Sequence, residues 1–242
     1  MTPRSMFETR LLTYNKQSKQ FDCVGRANMS VPRHGHSACS FANNFIVVTG
    51  TRKEVDGSAR KCEVYNCNTN TWNMLPQLNQ GRHYHASCEF NNEYVYVFCG
   101  ISNTTRRYMS TVERVNVKHA IQNLNTAWEV IEVKDPQGNA NCIAARQGLG
   151  AAQYDGDNIM IMGGFGGKYF SESLNLSVST NQVTKTAQQL PATVFPFAVP
   201  TLSDGEQLEV YTVDWTTYKL FRFKDEAWTC PVNLRANANY AR

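Results

Sequence analysis

The sequence lacks the long apolar runs that would place it in a membrane. No run approaches the roughly 18 apolar residues that a spanning helix needs, and the first ten residues, MTPRSMFETR, contain no apolar core of a signal peptide. We therefore expect neither membrane insertion nor secretion. These absences favour a cytoplasmic location, with the cytoskeleton as one candidate structure that the protein could serve.

The CxxC spacing of zinc ribbons is also missing, although the chain contains eight cysteines. Four of them lie inside apolar, strand-like runs: Cys39, Cys62, Cys88 and Cys99. We predict reduced thiols rather than four disulfides. The net charge of +4 comes without a concentrated basic stripe, so we do not expect nucleic acid as a partner.

A long amphipathic helix is absent as well, and a repeated motif stands in its place. Three units begin at Arg33, Arg82 and Arg146, and about 18 positions later each has an apolar run that ends in glycine. The closing glycines are Gly50, Gly100 and the pair Gly163 and Gly164. The sixth residue after each arginine is small (Cys39, Cys88, Ala152), which indicates a tight slot between packed layers.

Each unit then has an apolar residue and a bulky one on either side of a polar turn. These pairs are Tyr14 with Phe21, Tyr65 with Trp72, Val115 with Trp128, Leu176 with Val183, and Phe221 with Trp228. The turn of the second unit is longer by six residues. A fourth unit keeps the apolar alternation of the third but has Phe195 in place of the arginine and Thr212 and Val213 in place of the glycines.

Each unit therefore reads as four short strands, and units at a spacing near 50 residues predict an all-β propeller. A β-sandwich is the alternative. The arginine, the strand that ends in glycine, the segments CEVYN and VERVN and the final tryptophan together resemble the Kelch repeat. The resemblance is strong over 32–73 and 80–128, moderate over 145–184 and weak over 194–229.

The resemblance implies a single Kelch-type propeller over residues 1–242. Its parts would be an N-terminal half-blade (1–24), three blades (25–76, 77–133 and 134–188) and a degenerate blade with a tail (189–242). The resemblance implies a ring of five to seven blades, so four blades and a half would form an incomplete ring. Two interpretations stay open: a piece of a longer chain, or an open arc completed by another subunit.

Two His-x-His units follow the first two arginines, at His34 and His36 and at His83 and His85. Alternate residues on a strand share a face, so four imidazoles could in principle hold copper or zinc. The third unit has Gln147 and Leu149 in these places, so we expect hydrogen-bonded or pocket-lining histidines, with no metal and no other cofactor. The run GGFGGK at 163–168 lacks phosphate-loop spacing and is interpreted as a turn.

Strand order places the candidate binding surface. In an antiparallel meander, the loops from second to third strand share one rim with the connections between blades, and loops on a rigid scaffold commonly carry binding residues. The candidates are basic residues (Arg52, Lys53, Arg106, Arg107, Lys168), aromatic residues (Tyr108, Tyr169, Phe170, Trp215) and residues nearer the axis (His34, His83, Tyr84). A solvated rim of charges is the alternative interpretation.

The rim resembles the degron pocket of Kelch adaptors of ubiquitin ligases in position only, because those pockets use Arg where this chain has Gly35, Tyr84 and Gly148. We predict a noncatalytic scaffold or adaptor in a larger complex that binds proteins with acidic segments. The alternatives are the substrate arm of a ubiquitin ligase, and an enzyme resembling Kelch-fold sugar epimerases or copper oxidases.

The repeat positions themselves are predicted to be structural. Arg33, Arg82 and Arg146 should pair with backbone carbonyls or with a neighbouring blade. The tryptophans Trp72, Trp128 and Trp228 should pack between blades, and loss of a fully buried Trp72 should cost about 3 to 5 kcal/mol.

Overall fold

The computed structural model describes residues 7–140, 142–187, 190, 201–203, 208–214, 219–224 and 227–233. The described residues form twenty strands and one α-helix, and all sheets are antiparallel. The strands are β1 (Thr9–Asn15), β2 (Gln20–Arg26), β3 (Ser37–Phe41), β4 (Phe45–Thr49), β5 (Cys62–Asn66), β6 (Thr71–Leu75), β7 (Arg82–His83), β8 (Ala86–Phe90), β9 (Tyr94–Phe98), β10 (Ile101–Ser102), β11 (Val112–Asn116), β12 (Glu129–Ile131), β13 (Gly150–Gln153), β14 (Asn158–Met162), β15 (Ser173–Ser177), β16 (Gln182–Lys185), β17 (Thr201–Ser203), β18 (Leu208–Asp214), β19 (Lys219–Lys224) and β20 (Ala227–Asn233). A short 3-10 helix lies at Ser58–Arg60 and the α-helix, α1, at Val117–Gln122.

Four of the sheets are four-stranded meanders, which confirms the predicted all-β, Kelch-type propeller fold. Blade A consists of β3 to β6, blade B of β8, β9, β11 and β12, blade C of β13 to β16, and blade D of β17 to β20. Strands β1 and β2 form a separate two-stranded N-terminal hairpin. The small strands β7 and β10 pair with each other above blade B.

The first strands of blades A, B and C lie side by side. Strand β8 contacts both β3 and β13. The small residue six positions after each arginine has an equivalent place in its blade, where it pairs with a residue of the second strand. The pairs are Cys39 with Val47, Cys88 with Tyr96, and Ala152 with Met160. Small side chains on the first strands let neighbouring sheets approach closely.

The core consists of apolar layers between successive blades. Between A and B, Val64 and Val97 are buried in one cluster, and between B and C, Phe98 and Ile159 are buried in another. A third cluster joins blade C to blade D through Met160. Each layer removes apolar surface from water on both sides, as a propeller requires.

The N-terminal hairpin differs from the blades because nearly all of its residues are exposed. Leu12 is 60% exposed and Phe21 is 64% exposed. Tyr14 and Phe21, which the sequence places on either side of a polar turn, are in contact, with ring centroids 5.0 Å apart. This hairpin has two strands where each blade has four.

The lengthened turn of blade B contains the helix α1. The side chain of Asn116 accepts a hydrogen bond from the His119 backbone N–H and so caps the helix. Val117 and Ala120 are buried in the cluster between blades A and B. The sequence predicted only a stretched turn, because six residues are too few to show a helical period.

The predicted buried cysteines are thiols. Cys62, Cys88 and Cys99 are buried and Cys39 is half-buried. Burial raises the pKa of Cys39 and of Cys62 to about 12, so both thiols stay protonated and unreactive at neutral pH. In the described part of the chain, no helix has the length and apolar character to cross a membrane.

Candidate functional site

A buried arginine lies at the base of the rim in each of blades A, B and C. The Nη1 group of each arginine donates a hydrogen bond to the backbone carbonyl 17 positions later, where the second strand has just ended. These bonds join Arg33 to Gly50 (2.8 Å), Arg82 to Cys99 (3.0 Å) and Arg146 to Gly163 (3.0 Å). All three arginines therefore hold the rim loop of their own blade.

Each arginine also forms an ion pair with a glutamate at the third strand. The pairs are Arg33 with Glu63, Arg82 with Glu113, and Arg146 with Glu172. Burial opposes ionisation of Glu172, but the hydrogen bond and charge of Arg146 outweigh it and keep the pKa of that carboxyl below its ordinary value. We call each arginine, its carbonyl and its glutamate a latch.

The sequence analysis found the arginines but missed the glutamates. A signal exists in two blades, since CEVYN and VERVN carry Glu63 and Glu113 at the same place in the third strand. In blade C the carboxylate comes from Glu172, one residue before β15. The glutamate is therefore shifted in the sequence of this blade but forms the same ion pair in the structure.

The carbonyl that each latch holds belongs to a residue with positive φ. The values are +69° at Gly50, +59° at Cys99 and +60° at Gly163. This register corrects the alignment drawn from the sequence, which matched Gly50 with Gly100. Gly100 and Gly164 lie one position later, and a Cβ at Gly100 would lie 2.8 Å from the His83 carbonyl oxygen.

Neighbouring blades are joined two residues after each arginine. The backbone N–H of Tyr84 donates to Gly35 O (2.7 Å), and that of Gly148 donates to Tyr84 O (2.8 Å). All three residues have positive φ. The Tyr84 ring occupies the space beside Gly35, and it packs edge-on against His83 with centroids 5.1 Å apart.

The histidines take part in hydrogen bonds at the boundary of blades A and B. His85 Nε2 and Thr49 Oγ1 are 2.7 Å apart, and His83 Nδ1 donates to Asn103 Oδ1 at 2.9 Å. Burial lowers the pKa of both imidazoles, so both are neutral at neutral pH. Among the described residues, no group of three or more His, Cys, Asp or Glu has the arrangement of a metal site.

Asn103 joins the rim loops of blades A and B. Its side-chain Nδ2 donates to the carbonyls of Thr51 (3.0 Å) and Arg52 (3.2 Å), while its Oδ1 accepts from His83. Asn103 is buried, so these bonds are shielded from water. The sequence analysis did not select this residue, because its role depends on contacts with residues about 50 positions away.

Three aromatic rings cluster where the rim loops of blades B and C meet. The Phe165 ring packs edge-on against Tyr108 and Tyr169, with centroids 6.1 Å and 5.0 Å away. Tyr108 is 37% exposed and Tyr169 is 54% exposed. Phe165 was missed because the surrounding glycines indicated only a turn.

The predicted basic residues of the rim are all exposed: Arg52, Lys53, Arg106, Arg107 and Lys168. None of them has an ion-pair partner among the described residues. Arg52 and Arg106 come from different blades, and both lie close enough to His83 to contribute to the lowering of its pKa, after burial. The structure therefore brings cations of blades A and B together.

The geometry of blade A agrees with a comparison of the sequence with protein families. Residues 32–79 match the family model of the Kelch motif. Blade A is therefore similar to a Kelch repeat. The latches and the shared strand order carry the same geometry into blades B and C, and the predicted Kelch resemblance is confirmed. A Kelch motif indicates a module for protein–protein interaction, and no curated protein matches the chain.

Three further residues predicted for the rim are Phe170, Trp215 and His34. Phe170 is half-buried, and its ring lies under the Arg146 guanidinium at 3.9 Å, where it supports the latch of blade C. Trp215 lies outside the described residues. His34 is half-buried, and its backbone carbonyl accepts from the Arg52 N–H at 2.9 Å.

The tryptophans of the Kelch blades divide into two groups. Trp128 is buried between blades A and B, where its Nε1–H donates to Pro76 O at 2.9 Å, and Trp228 is buried between blades C and D. Trp72 is only half-buried, contacts Tyr65, and donates to Ala27 O at 2.8 Å. The loss of about 3 to 5 kcal/mol was expected for a fully buried Trp72 and therefore does not apply to this half-buried side chain.

Proposed function

We propose that the chain is a noncatalytic interaction module that binds a partner protein through the rim and acts as a scaffold in a larger cytoplasmic assembly. The partner segment that this surface fits is acidic. The observation that carries the proposal is a set of exposed cations, on loops that buried contacts hold in place, that have no ion-pair partner in the described part of the chain.

The loops are fixed before any partner arrives. Each latch holds the end of a second strand, and Asn103 ties the loop of blade A to that of blade B. Between blades B and C, the Gly100 N–H donates to Arg146 O (2.8 Å) and the Arg146 N–H to Met109 O (3.1 Å). Binding residues held in this way lose little conformational freedom on association.

The exposed side chains have the composition of a binding surface. Arginine and tyrosine are enriched in the residues that dominate interface energies. Guanidinium groups form charge-assisted, often bidentate, hydrogen bonds with carboxylates. Arg52, Arg106 and Arg107 offer such groups, with Tyr108 beside them, and acidic side chains of a partner would complete them.

The test compares two variants with the same change in charge. The rim variant is Arg52→Glu/Arg106→Glu/Arg107→Glu, and the control is Lys16→Glu/Lys19→Glu/Lys118→Glu. All six residues are exposed, and each set contains one residue of positive φ, Arg106 and Lys19. Lys16 and Lys19 lie in the turn of the N-terminal hairpin, and Lys118 follows β11, the third strand of blade B, so none of the control residues belongs to a rim loop.

Both variants and the native protein are used to purify partners from native cells, with quantification by mass spectrometry. We expect at least one partner to be reduced tenfold or more with the rim variant and to stay unchanged with the control. Thermal unfolding of both variants checks that they fold. If every partner is kept by the rim variant, or if both variants lose the same partners, the proposal is wrong.

A further inference from the structure

At one position of the rim, blades A, B and C share the same backbone pairing but have side chains of different chemical character. It is the residue 19 positions after the latch arginine: Arg52, Ile101 and Phe165. Each pairs with the residue that directly follows the arginine, as the Arg52 N–H donates to His34 O, Ile101 bridges His83, and Phe165 bridges Gln147. The side chain thus changes from guanidinium to aliphatic to aromatic around the rim.

The residues beside this position in the rim loops show the same change from basic to aromatic side chains. In blade A the next residue is Lys53, and in blade B the loop tip carries Arg106 and Arg107, held by hydrogen bonds with Ser102 of 2.9 Å and 3.0 Å. At the boundary of blades B and C the rim carries the cluster of Tyr108, Phe165 and Tyr169, with Lys168 as a single predicted cation beside it. The rim therefore has a basic half and an aromatic half.

The two halves lie within reach of one short peptide. Packed sheets are spaced by about 10 Å, so the step from blade A to blade C is roughly 20 Å. An extended chain covers about 3.3 Å per residue, so about six residues span that step. A segment of this length can contact both halves at once. Its carboxylate on Arg52 would lie about four to six positions from the apolar side chain, and a carboxylate on Arg106 would lie nearer to it.

We infer that the rim binds one extended segment of its partner in a fixed orientation, with carboxylates on Arg52 and Arg106 and an apolar side chain on the cluster of Tyr108, Phe165 and Tyr169. This inference rests on the proposed function and adds a second feature that the partner segment needs, an apolar side chain. Acidic residues alone would satisfy the basic half, whereas an apolar side chain gains burial and aromatic contact only on the other half.

The test is a selection from a phage library of random 12-residue peptides on three immobilised forms of the full chain. These are the native protein, the basic-half variant Arg52→Glu/Arg106→Glu, and the aromatic-half variant Tyr108→Ser/Tyr169→Ser. The substituted side chains are all exposed, so the latches and Asn103 are untouched. The variant Lys16→Glu/Lys118→Glu is the control.

On the native protein and the control, we expect peptides in which Asp or Glu and a large apolar residue lie about four to six positions apart, in the same order in all of the peptides. The basic-half variant should lose the acidic preference and keep the apolar one, and the aromatic-half variant should do the reverse. In fluorescence anisotropy of a selected peptide, each variant should weaken binding tenfold or more. Replacing the peptide's Glu by Gln should remove the effect of the basic-half variant.

The outcomes separate this inference from the proposed function. If acidic peptides are enriched without an apolar preference, and the aromatic-half variant binds them normally, the inference is wrong and the proposed function stands. If no peptide is enriched, or if the basic-half variant enriches the same acidic peptides as the native protein, both are wrong.

Discussion

The latches and the rim loops directly above them follow opposite rules. In blades A, B and C the latch repeats the same contacts, even where the glutamate comes from a shifted position, as with Glu172. The rim keeps its backbone pairs, but its side chains change from Arg52 to Ile101 to Phe165. A contact that recurs in every blade holds the blade together, whereas a position that changes from blade to blade can give each part of the rim its own ligand preference.

The largest effect should come from breaking a latch. Arg82→Met leaves the buried carboxylate of Glu113 without its cation and removes the guanidinium donor from the carbonyls of Cys99 and Thr111, of which the Thr111 carbonyl keeps the Cys99 N–H. We expect the free energy of unfolding to fall by about 3 to 5 kcal/mol, because a buried charge loses its partner. Urea unfolding followed by tryptophan fluorescence measures the change.

Two comparisons keep this prediction specific to the latch. Lys134→Met removes an exposed ion pair with Glu132 and should change stability by about 0 to 1 kcal/mol. The double variant Arg82→Met/Glu113→Leu should be more stable than Arg82→Met alone, since no unpaired charge is left. Equal losses for Arg82→Met and Lys134→Met would show that the latch does not hold the blade.

A smaller loss of folding stability is expected at acidic pH, and it should come from His85, which lies at the boundary between the latch layer and the rim. Burial holds the pKa of His85 well below its ordinary value, whereas in the unfolded chain this imidazole takes up a proton near pH 6.5. The unfolded state therefore binds more protons, and stability should fall as the pH drops below 6.5. The slope from His85 is at most about 1.4 kcal/mol per pH unit.

Urea unfolding between pH 7.5 and 5 tests this expectation. The variant His85→Gln keeps a polar side chain beside Thr49 but has no proton to gain, so its stability should depend less on pH. His119→Gln, on the exposed surface of α1, is the matched control. If the pH dependence of the free energy of unfolding were unchanged in His85→Gln and reduced in His119→Gln, the assignment of this dependence to His85 would be wrong.

Much of the blade layer could be predicted from the sequence, because it depends on local patterns. The strands follow from alternation, and Arg33, Arg82 and Arg146 follow from the period. The glutamates, Asn103 and Phe165 could not be predicted in this way. Their roles depend on which residues meet across strands or across blades, and a shift of two residues, as at Glu172, is enough to hide the repeat.

The rim was predicted in its parts but not in its arrangement. A meander fixes which loops share an edge, so strand order predicts that the loops of Arg52 and Arg106 are neighbours, and in the structure Asn103 joins these two loops. The exposure of a given ring depends on packing that strand order does not determine. Phe170 and Tyr169 are adjacent in sequence, yet one lies under Arg146 and the other is exposed.

The smallest effect tests the register of the latch at Cys99, which has φ +59° where blades A and C have Gly50 and Gly163. A residue with a Cβ is strained in this conformation and glycine is not, so Cys99→Gly should be more stable than Cys99→Ala by about 1 kcal/mol. At Cys88, on the extended strand β8, the order should reverse by about 0.5 to 1 kcal/mol, because glycine weakens a strand. Thermal unfolding of the four variants measures both differences. The same order at both sites would mean that Cys99 is not the equivalent of the two glycines, and the latch of blade B would then differ in kind from its neighbours.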